Sequence, residues 1–381
     1  MTHARLRYVA EDDSTGYGDA ADRLVRAVRA AGTAVEFRGW TNTMGGAKPG
    51  FLPFSRDERP EDVAAAGAPT VAHLVPEHYP LVRGVLSDDG PLVGHTVWET
   101  DRIPRHWPSL LNAVDRVIVP SEWNRSVFLA GGVRVPISVV PHVACDPVRA
   151  DDEAVAALGV PDDVTVFYSI GRWDERKAMF HVVRAFLDAF TADDPVVLVV
   201  KTGSLSEMRP VDEWGATSPL ALTSGWQVAE IVRRYARPAR IQLAVDRWPE
   251  ERIAALHTRG DCYIGLARGE GWGIGAFDAC AYGNPVIATG WGGYLEYLTP
   301  DDAYLVDHEL VPVHHHAHVS YSPDQRWAEP SVAHATEQLQ RVAADPAGAR
   351  RRAAPARERV LHDFAPNAVA RRFVDALECT A

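Results

Sequence analysis

The sequence predicts an α/β protein made of two domains, each doubly wound around a parallel sheet. Its 381 residues are about twice the usual length of a single domain. Short apolar runs alternate with amphipathic helical patterns in both halves of the chain. Such alternation is typical of parallel strands joined by covering helices. A stretch rich in Pro, Asp and Ala at residues 141–163 separates the two alternating series.

The first series predicts the sheet of the N-terminal half. Residues 20–31 show the apolar period of an amphipathic helix. Apolar runs on either side of this helix indicate strands at residues 6–10, 34–37, 70–75, 92–98, 116–119 and 137–140.

The second series predicts a similar sheet in the C-terminal half. Its strands are expected at residues 164–170, 195–201, 240–245, 261–266 and 285–289, with a helix at residues 178–190. The tail has a helical pattern from about residue 356 to 377. We therefore divide the chain into an N-terminal domain (1–150), a C-terminal domain (151–355) and a terminal helix (356–381).

Composition limits the classes of function. The formal charge of −12 argues against broad binding to nucleic acids or anionic membranes. No apolar run approaches the roughly 20 residues that span a bilayer, and the first residues lack the apolar core of a signal peptide. The cysteines are scattered without the spacing of a metal site, at Cys145, Cys262, Cys280 and Cys379. We expect a reduced, cytoplasmic protein.

The first motif, SIGRWDERK, covers residues 169–177 at the end of a predicted strand. Gly171 would let the backbone turn close to a ligand. Arg172 can offer a bidentate fork to phosphate oxygens and Lys177 a point charge, beside a helix N-terminus that favours anions. The alternative is an ordinary strand–loop–helix connection with solvated charges.

The second motif, GEGWGIGAFDAC, covers residues 269–280 and follows another predicted strand. Four glycines in seven positions are costly unless the backbone approaches something closely. The amides of Gly273, Ile274 and Gly275, at the start of a helix, could cap a diphosphate. The alternative is a glycine-rich turn without a ligand.

Two carboxylates accompany this second motif. Glu270 precedes the turn, and Asp278 lies eight residues on, about two helical turns away and on roughly the same side. Carboxylates are poor ligands for phosphate but good acceptors for sugar hydroxyls.

Together the motifs resemble a known family. The spacing Gly-Arg-x4-Lys, then Glu-Gly-Trp-Gly-Ile and an acid eight residues after the Glu, is similar to the retaining GT-B glycosyltransferases of family 4. The continuation AYGNPVIATGWGG at residues 281–293, with Glu296, resembles the region that follows in that family. The resemblance is strongest from about residue 169 to 296. It implies a GT-B architecture of two Rossmann-like domains facing across a cleft, with the C-terminal helix crossing back to the N-terminal domain.

The resemblance also implies a reaction. A sugar would move, with retention of configuration, from a nucleotide-diphosphate sugar of the UDP or GDP type to a hydroxyl of a small-molecule or glycan acceptor. No cofactor or catalytic metal is implied. Arg172 and Lys177 would neutralise the departing diphosphate, and Glu270 would hold hydroxyls of the transferred sugar. Asp278 would bind the ribose where the family has Glu, so its carboxylate reaches about one methylene less.

The segment at residues 13–18 resembles the family's glycine loop, in which the amides around Gly16 and Gly18 would face the donor diphosphate. The pattern Gly16-x-Gly18-x-x-Ala21 equally fits a dinucleotide fingerprint, with Glu36 ending the next strand as a possible ribose ligand. An NAD(P) oxidoreductase is therefore the main enzymatic alternative. It does not explain the cations and the glutamate of the two C-terminal motifs. A GT-B module that binds a nucleotide sugar or glycan without transferring it is the second alternative.

His95 ends the apolar run LVGH in the N-terminal half. In the family a histidine in this region contacts the transferred sugar, and a neutral imidazole can donate one hydrogen bond and accept another. The alternative is a structural histidine. Weaker candidates for binding the acceptor are His78, Trp98 and Glu99.

A histidine run, His314, His315 and His316 with His318, suggests a metal site. Consecutive residues on a strand point to alternate faces, and few carboxylates are near in sequence. We therefore predict no metal site there and expect Val311, Val313 and Trp327 to be packing residues.

Overall fold

The computed structural model describes residues 5–11, 16–41, 50–51, 67–86, 90–206, 223–314 and 320–378. The chain divides into two compact units. One unit comprises Met1–Cys145 with Leu361–Ala381, and the other comprises Asp146–Val360. No helix in these described ranges has the length and apolarity needed to cross a membrane.

The N-terminal unit is built on a mostly parallel sheet. Its strands are β1 (Arg5–Glu11), β2 (Ala34–Thr41), β3 (Gly50–Phe51), β4 (Thr70–His73), β5 (Leu92–His95), β6 (Arg116–Val119) and β7 (Ile137–Val139). Their order across the sheet is β3-β2-β1-β4-β5-β6-β7, and the short β3 is antiparallel to β2. All residues of β4 and of β5 are buried, as expected for strands covered on both faces.

Helices cover this sheet where the sequence shows amphipathic periodicity. They are α1 (Gly16–Ala30), α2 (Tyr79–Leu86), α3 (Trp107–Leu111) and α4 (Glu122–Ala130). A 3₁₀ turn, Pro76–His78, precedes α2. Helix α1 begins four residues earlier than the sequence predicted and buries Leu24, Val25 and Val28.

The C-terminal unit contains a second parallel sheet. Its strands are β8 (Thr165–Ile170), β9 (Val196–Lys201), β10 (Arg240–Ala244), β11 (Cys262–Gly265), β12 (Val286–Thr289) and β13 (Tyr304–Val306), in the order β10-β9-β8-β11-β12-β13. The helices are α5 (Asp152–Ala156), α6 (Met179–Ala189), α7 (Ser224–Val232), α8 (Glu250–Arg259), α9 (Ile274–Ala281), α10 (Val332–Ala344) and α11 (Pro346–Asp363). The predicted strands of both halves are present, with boundaries that differ by a few residues.

The sequence did not predict the strands β3 and β13, and two further features differ from the prediction. The strands β14 (His308–Pro312) and β15 (Arg326–Pro330) form an antiparallel hairpin that the sequence pattern did not reveal. The single helix predicted at residues 356–377 is two helices, because α11 ends at Asp363 and α12 (Pro366–Glu378) begins at a proline. Proline is favoured in a first helical turn, and in a helix interior it removes a backbone hydrogen bond, although α11 contains Pro355. Helix α12 packs on α1 in the N-terminal unit.

Each sheet has a point where the strand order reverses. The reversal lies between β1 and β4 in the N-terminal unit and between β8 and β11 in the C-terminal unit. Open parallel sheets bind ligands beyond the carboxyl ends of the strands at such points. The two C-terminal motifs follow β8 and β11 directly, so the topology brings them together.

Candidate active site

The first motif forms a tight turn that fixes Lys177 at the end of β8. The Oδ1 atom of Asp174 accepts a 2.6 Å hydrogen bond from the backbone N–H of Lys177, and Asp174 is buried. Ala178 follows with φ of 46° and is the N-cap of α6. A left-handed alanine is a strained conformation that persists only where surrounding contacts impose it. The turn therefore holds the lysine in one place.

Lys177 and the second motif meet through Glu270. The Nζ atom of Lys177 lies 2.5 Å from Oε1 of Glu270, and the Glu270 side chain is only 7% exposed. The backbone carbonyl of Glu270 accepts a hydrogen bond from the N–H of Gly293. A cation and a carboxylate therefore meet at this edge of the sheet.

The second cation at Glu270 is Arg176, which the sequence analysis did not single out. Its Nη1 lies 3.3 Å from Oε2 of Glu270 and donates to the carbonyl of Gly269 at 2.9 Å. Arg176 is buried. The only sequence signal for it was its position beside Lys177, and charge alone does not tell which arginine of RWDERK points inward.

Arg172 takes the opposite position. Its side chain is 62% exposed, and its Nε lies 3.5 Å from Oδ2 of Asp174. Arg172 is not one of the described residues that line the pocket at Glu270. The expected role of Arg172 beside the glycine turn stays a prediction, because its side chain is directed to solvent in this structure.

The glycines of the second motif are required by close packing within the protein. Gly273 has φ of 89°, and a Cβ there would lie 2.3 Å from the ring of Tyr294. A Cβ at Gly293 would lie 2.2 Å from the carbonyl oxygen of Gly271. At Gly171, by contrast, φ is not positive and a Cβ would make ordinary contacts, so the expected close turn does not depend on glycine there.

A small pocket forms where the two motifs meet. Its lining includes Lys177, Glu270, Gly273 and Gly275, together with Ser169, Met179, Tyr263 and Tyr294. Helix α9 begins at Ile274 beside this pocket, and no side chain caps it. The first N–H groups of a helix have no partner inside the helix and carry partial positive charge. The pocket thus offers a lysine, a carboxylate and helix amides at one place.

Asp278 lies on the second turn of α9 and is 7% exposed. Burial raises the pKa of the neighbouring Tyr263, and the negative charges of Glu270 and Asp278 raise it further. Tyr263 is therefore a neutral phenol at physiological pH.

A network of charges centred on the buried Arg268 adjoins the site. Arg268 donates two hydrogen bonds to Glu329, at 2.5 and 3.1 Å, and one to the carboxylate of Glu175 at 2.8 Å. Its backbone N–H donates to the carbonyl of Arg176. Burial alone would raise the pKa of Glu329, but hydrogen bonds from His181 and Arg268 more than offset this and lower it to about 2. Arg268, which Glu329 of the hairpin holds, directly precedes the second motif and therefore connects it to the first.

In the N-terminal unit, His95 ends β5 and stacks on His73, which ends β4. The ring centroids are 3.8 Å apart with an interplanar angle of 6°. The Oη atom of Tyr8 lies 2.8 Å from Nδ1 of His73 and 3.2 Å from Nδ1 of His95. Burial and the nearby His142 lower the pKa of His95 to about 3. The sequence did not indicate His73 or Tyr8, because neither belongs to a motif.

The remaining N-terminal candidates are placed as follows. Gly16 and Gly18 lie in the first turn of α1 instead of in a loop, and residues 13–15 are outside the described residues. Trp98 is a core residue whose Nε1 donates to Thr100 and Arg102, so it is not a surface for an acceptor.

His78 and Glu99 are partly exposed. The His78 ring lies 5.1 Å from that of Trp40, and burial lowers its pKa.

Glu36 does not fit the role that a dinucleotide site would give it. Strand β2 continues to Thr41, so Glu36 lies inside the strand and not at its end. The carboxylate is 1% exposed and pairs with Arg7 and Arg38. A ribose hydroxyl would have to displace these buried ion pairs.

We expected the histidine run to lie on a strand. His314 instead follows the end of β14 and is not part of it. Its ring packs edge-on against the fully buried Trp327. His315, His316 and His318 lie outside the described residues. Among the residues that are described, no group of three His, Cys, Asp or Glu side chains is arranged to hold a metal ion. Val313 and Trp327 are buried packing residues, as predicted, whereas Val311 is only partly buried.

Comparison with known proteins places the fold. No protein-family model and no curated sequence matches the chain. Solved structures do match over nearly the full length. Sucrose-phosphate synthase from Thermosynechococcus elongatus has a TM-score of 0.69 at 16% identity, covering 98% of both chains. Anabaena HepE, in complex with UDP and glucose, has a TM-score of 0.68 at 13% identity, covering 99% of this chain and 100% of that one.

A third match is α,α-trehalose 6-phosphate synthase from Burkholderia multivorans, with a TM-score of 0.66 at 14% identity over 98% of both chains. Identities this low establish a shared fold and nothing finer. The chain has the GT-B fold of these glycosyltransferases, with two Rossmann-like units, as the sequence predicted.

Proposed function

We propose that this protein is a metal-independent glycosyltransferase of the family 4 type, which transfers a hexose with retention of configuration from a nucleotide-diphosphate sugar to a hydroxyl acceptor. One observation carries the proposal. The Nζ of Lys177, the carboxylate of Glu270 and the N-terminus of α9 converge on one pocket at the strand-order reversal of the C-terminal unit. A cation with helix amides suits a diphosphate, and a carboxylate suits sugar hydroxyls.

The charges of the site fit a departing diphosphate. Negative charge develops on the leaving phosphate, and preorganised donors aimed at that position lower the barrier most. Lys177 and the amides of Gly273, Ile274 and Gly275 would supply them. Arg172 would add a second cation if its exposed side chain turned toward the ligand, and Asp278 would bind the ribose.

Glu270 is better suited to binding than to nucleophilic attack. Both of its carboxylate oxygens already contact cations, Lys177 at 2.5 Å and Arg176 at 3.3 Å, which lowers the nucleophilicity of the carboxylate. Retention would then follow from attack on the same face, with a phosphate oxygen taking the proton of the acceptor hydroxyl. In the N-terminal unit, His95 would contact a substrate hydroxyl, and His78 and Glu99 are the candidates for the acceptor.

The matched structures suggest which donors to test first. HepE was solved with UDP and glucose, and with UDP-glucose, and a trehalose-6-phosphate enzyme of E. coli was solved with UDP-2-fluoro glucose. UDP-glucose is therefore the first candidate donor, with GDP-mannose as the representative of the GDP class. A cytoplasmic enzyme of natural-product or cell-envelope glycosylation would use either class.

Thermal unfolding with UDP, GDP, UDP-glucose, GDP-mannose and NAD(P) tests the proposal. A ligand at about 100 times its dissociation constant stabilises by about 2.7 kcal/mol, which raises Tm by about 5–10 °C for a unit of this size. Protection by a nucleotide sugar that survives EDTA, followed by transfer with retained anomeric configuration in the NMR spectrum of the product, is the expected result. Protection by NAD(P) alone would identify an oxidoreductase instead.

Glu270→Gln separates the catalytic proposal from a module that only binds. The variant should lose discrimination between sugars while keeping most of its affinity for the free nucleotide, because the diphosphate is held by Lys177 and the helix amides. Equal loss of free-nucleotide binding would contradict the role given to Glu270. Tight binding by the wild type without transfer or donor hydrolysis would favour the non-catalytic module, for which Asp278 in place of Glu is the supporting feature.

A further inference from the structure

The stacked histidines lie near the strand-order reversal of the N-terminal unit. His73 is paired with His95 in the register of β4 and β5, so the two side chains leave the sheet at the same level. Both residues are 2% exposed. A reversal of strand order is where a parallel sheet binds ligands.

Tyr8 constrains the hydrogens of both rings. Its Oη contacts the Nδ1 atoms of His73 and His95 at 2.8 and 3.2 Å. A phenol has one proton and donates to only one of them. The other contact is a hydrogen bond only if that Nδ1 carries a hydrogen and donates to Oη. Two neutral rings must therefore adopt opposite tautomers.

Both rings are neutral near pH 7. Burial is the largest cause that lowers the pKa of each, and His142 lowers both further. His95 has a pKa of about 3. A proton on either ring would place a charge 3.8 Å from the stacked neighbour without water to solvate it.

The geometry favours one of the two arrangements. The 2.8 Å contact has the usual length for a hydroxyl donor, and 3.2 Å is the upper end for an N–H donor. Tyr8 then donates to His73, and His95 donates to Tyr8 through Nδ1. Nε2 of His95, which is buried and has no partner among the described residues, becomes a bare lone pair. A buried acceptor without a partner is tolerated better than a buried N–H without one.

We propose that Tyr8 and His73 are positioning residues that hold His95 in the Nδ1–H tautomer, so that its Nε2 accepts a hydrogen bond from a substrate hydroxyl. The inference rests on the proposed function and specifies which partner donates the hydrogen bond. The substrate hydroxyl donates, and His95 accepts the bond and transfers no proton. Both a donor sugar and an acceptor carry hydroxyls, so the shared chemistry is a hydroxyl that donates.

Nitrogen-15 NMR of the full chain labelled at histidine tests the tautomers without any substrate. The ring shifts should show His95 as Nδ1–H and His73 as Nε2–H, assigned by the signals lost in His95→Gln and His73→Gln. Tyr8→Phe keeps the ring and removes the hydroxyl, and should shift His95 to the Nε2–H form or to a mixture. An Nε2–H form or an imidazolium at His95 in the wild type at pH 7 would overturn the proposal.

Tyr168→Phe is the matched control. The Tyr168 hydroxyl also contacts a buried histidine, with 2.8 Å between Oη and Nδ1 of His257, but in the C-terminal unit. Removing it should cost similar stability and leave the His95 tautomer unchanged. A change of the His95 signals in this variant equal to that in Tyr8→Phe would show a general structural effect and overturn the positioning role.

Fluorinated sugars test the direction of the hydrogen bond, because fluorine cannot donate. Deoxy and deoxyfluoro forms of UDP-glucose or GDP-mannose, whichever is the substrate, are compared with the parent. At the sugar position whose hydroxyl contacts His95, the deoxy and the deoxyfluoro analogue should each lower kcat/KM by about 10- to 100-fold, as expected when a buried group loses its partner. The loss should disappear in His95→Ala and shrink in Tyr8→Phe.

The source of the hydroxyl follows from the same experiment. If the rate loss persists in donor hydrolysis, with no acceptor present, the hydroxyl belongs to the transferred sugar. If the rate is lost only with deoxyfluoro acceptors, the hydroxyl belongs to the acceptor. A fluoro analogue that performs like the parent at every position of both substrates would overturn the acceptor role of Nε2. Failure of every nucleotide sugar would defeat the proposed function and leave the tautomer test standing.

Discussion

Replacing Arg176 by methionine tests how the site holds a buried carboxylate. The side chains of Arg176 and Glu270 are 9% and 7% exposed, and Nη1 of Arg176 also binds the carbonyl of Gly269. Methionine fills a similar apolar volume and removes the charge. After the change, Glu270 keeps one cation, Lys177.

The expected cost follows from the burial of the pair. Removing one partner of a buried ion pair costs about 3–5 kcal/mol, because it leaves a buried charge uncompensated. Lys177 still compensates Glu270 in part, which places the loss at the lower end, about 3 kcal/mol. For a unit of the size of Asp146–Val360, this corresponds to a Tm lower by about 6–12 °C.

The assay is thermal and urea unfolding of the full chain, with Arg351→Met as the matched control. Arg351 undergoes the same chemical change in the same unit, but its side chain and that of its partner Asp345 are 74% and 65% exposed, so the loss should be at most about 1 kcal/mol. Adding Glu270→Gln to Arg176→Met should recover part of the stability, because the unpaired charge is gone. Equal Tm values for the two arginine variants would refute the reasoning.

Three further predictions concern the same residues. Lys177→Ala should lower turnover by about 10²–10³-fold, as for loss of one preorganised anion donor, and near-normal turnover in a transfer assay would remove Lys177 from the mechanism. Gly273→Ala should cost about 2–4 kcal/mol in urea unfolding, since φ is 89° and the new Cβ meets the Tyr294 ring at 2.3 Å; Gly16→Ala, with open space around the Cβ, should cost nothing comparable. The folded-state pKa of His95, about 3, lies below its unfolded value of about 6.5, so its contribution to stability is complete above pH 6.5 and falls by about 1.4 kcal/mol per pH unit as pH decreases toward 3. The stability difference between wild type and His95→Gln, measured by urea unfolding at pH 7, 6 and 5, should change with that slope, and a constant difference would contradict the buried neutral state.

The fold was predictable because its signals are local. The strands β8 and β11 are predominantly apolar; a charged motif follows β8 and a glycine-rich motif follows β11. Strand–helix alternation made the sheets parallel, and parallel strands end at one edge. The meeting of Lys177 with Glu270, 93 residues apart, followed from these two facts together.

The inner shell of the site was not predictable in the same way. Arg172 and Arg176 are equivalent in composition, and only the turn fixed by Asp174 and the left-handed Ala178 decides which of them is buried. Residue 273 must be glycine because the ring of Tyr294 packs against it. Tyr294 lies 21 residues further along the chain and belongs to no periodic pattern.

The sequence by itself determined the architecture, the two loops that form the donor pocket and the chemical class of their side chains, because hydrophobic periodicity and turn residues act over a few neighbouring positions. Only the tertiary structure decided which cation faces Glu270 and that His73 stacks on His95 beneath one tyrosine hydroxyl. These contacts depend on strand register and on the direction of buried side chains. Both are set by packing between distant segments, which leaves no local pattern in the chain.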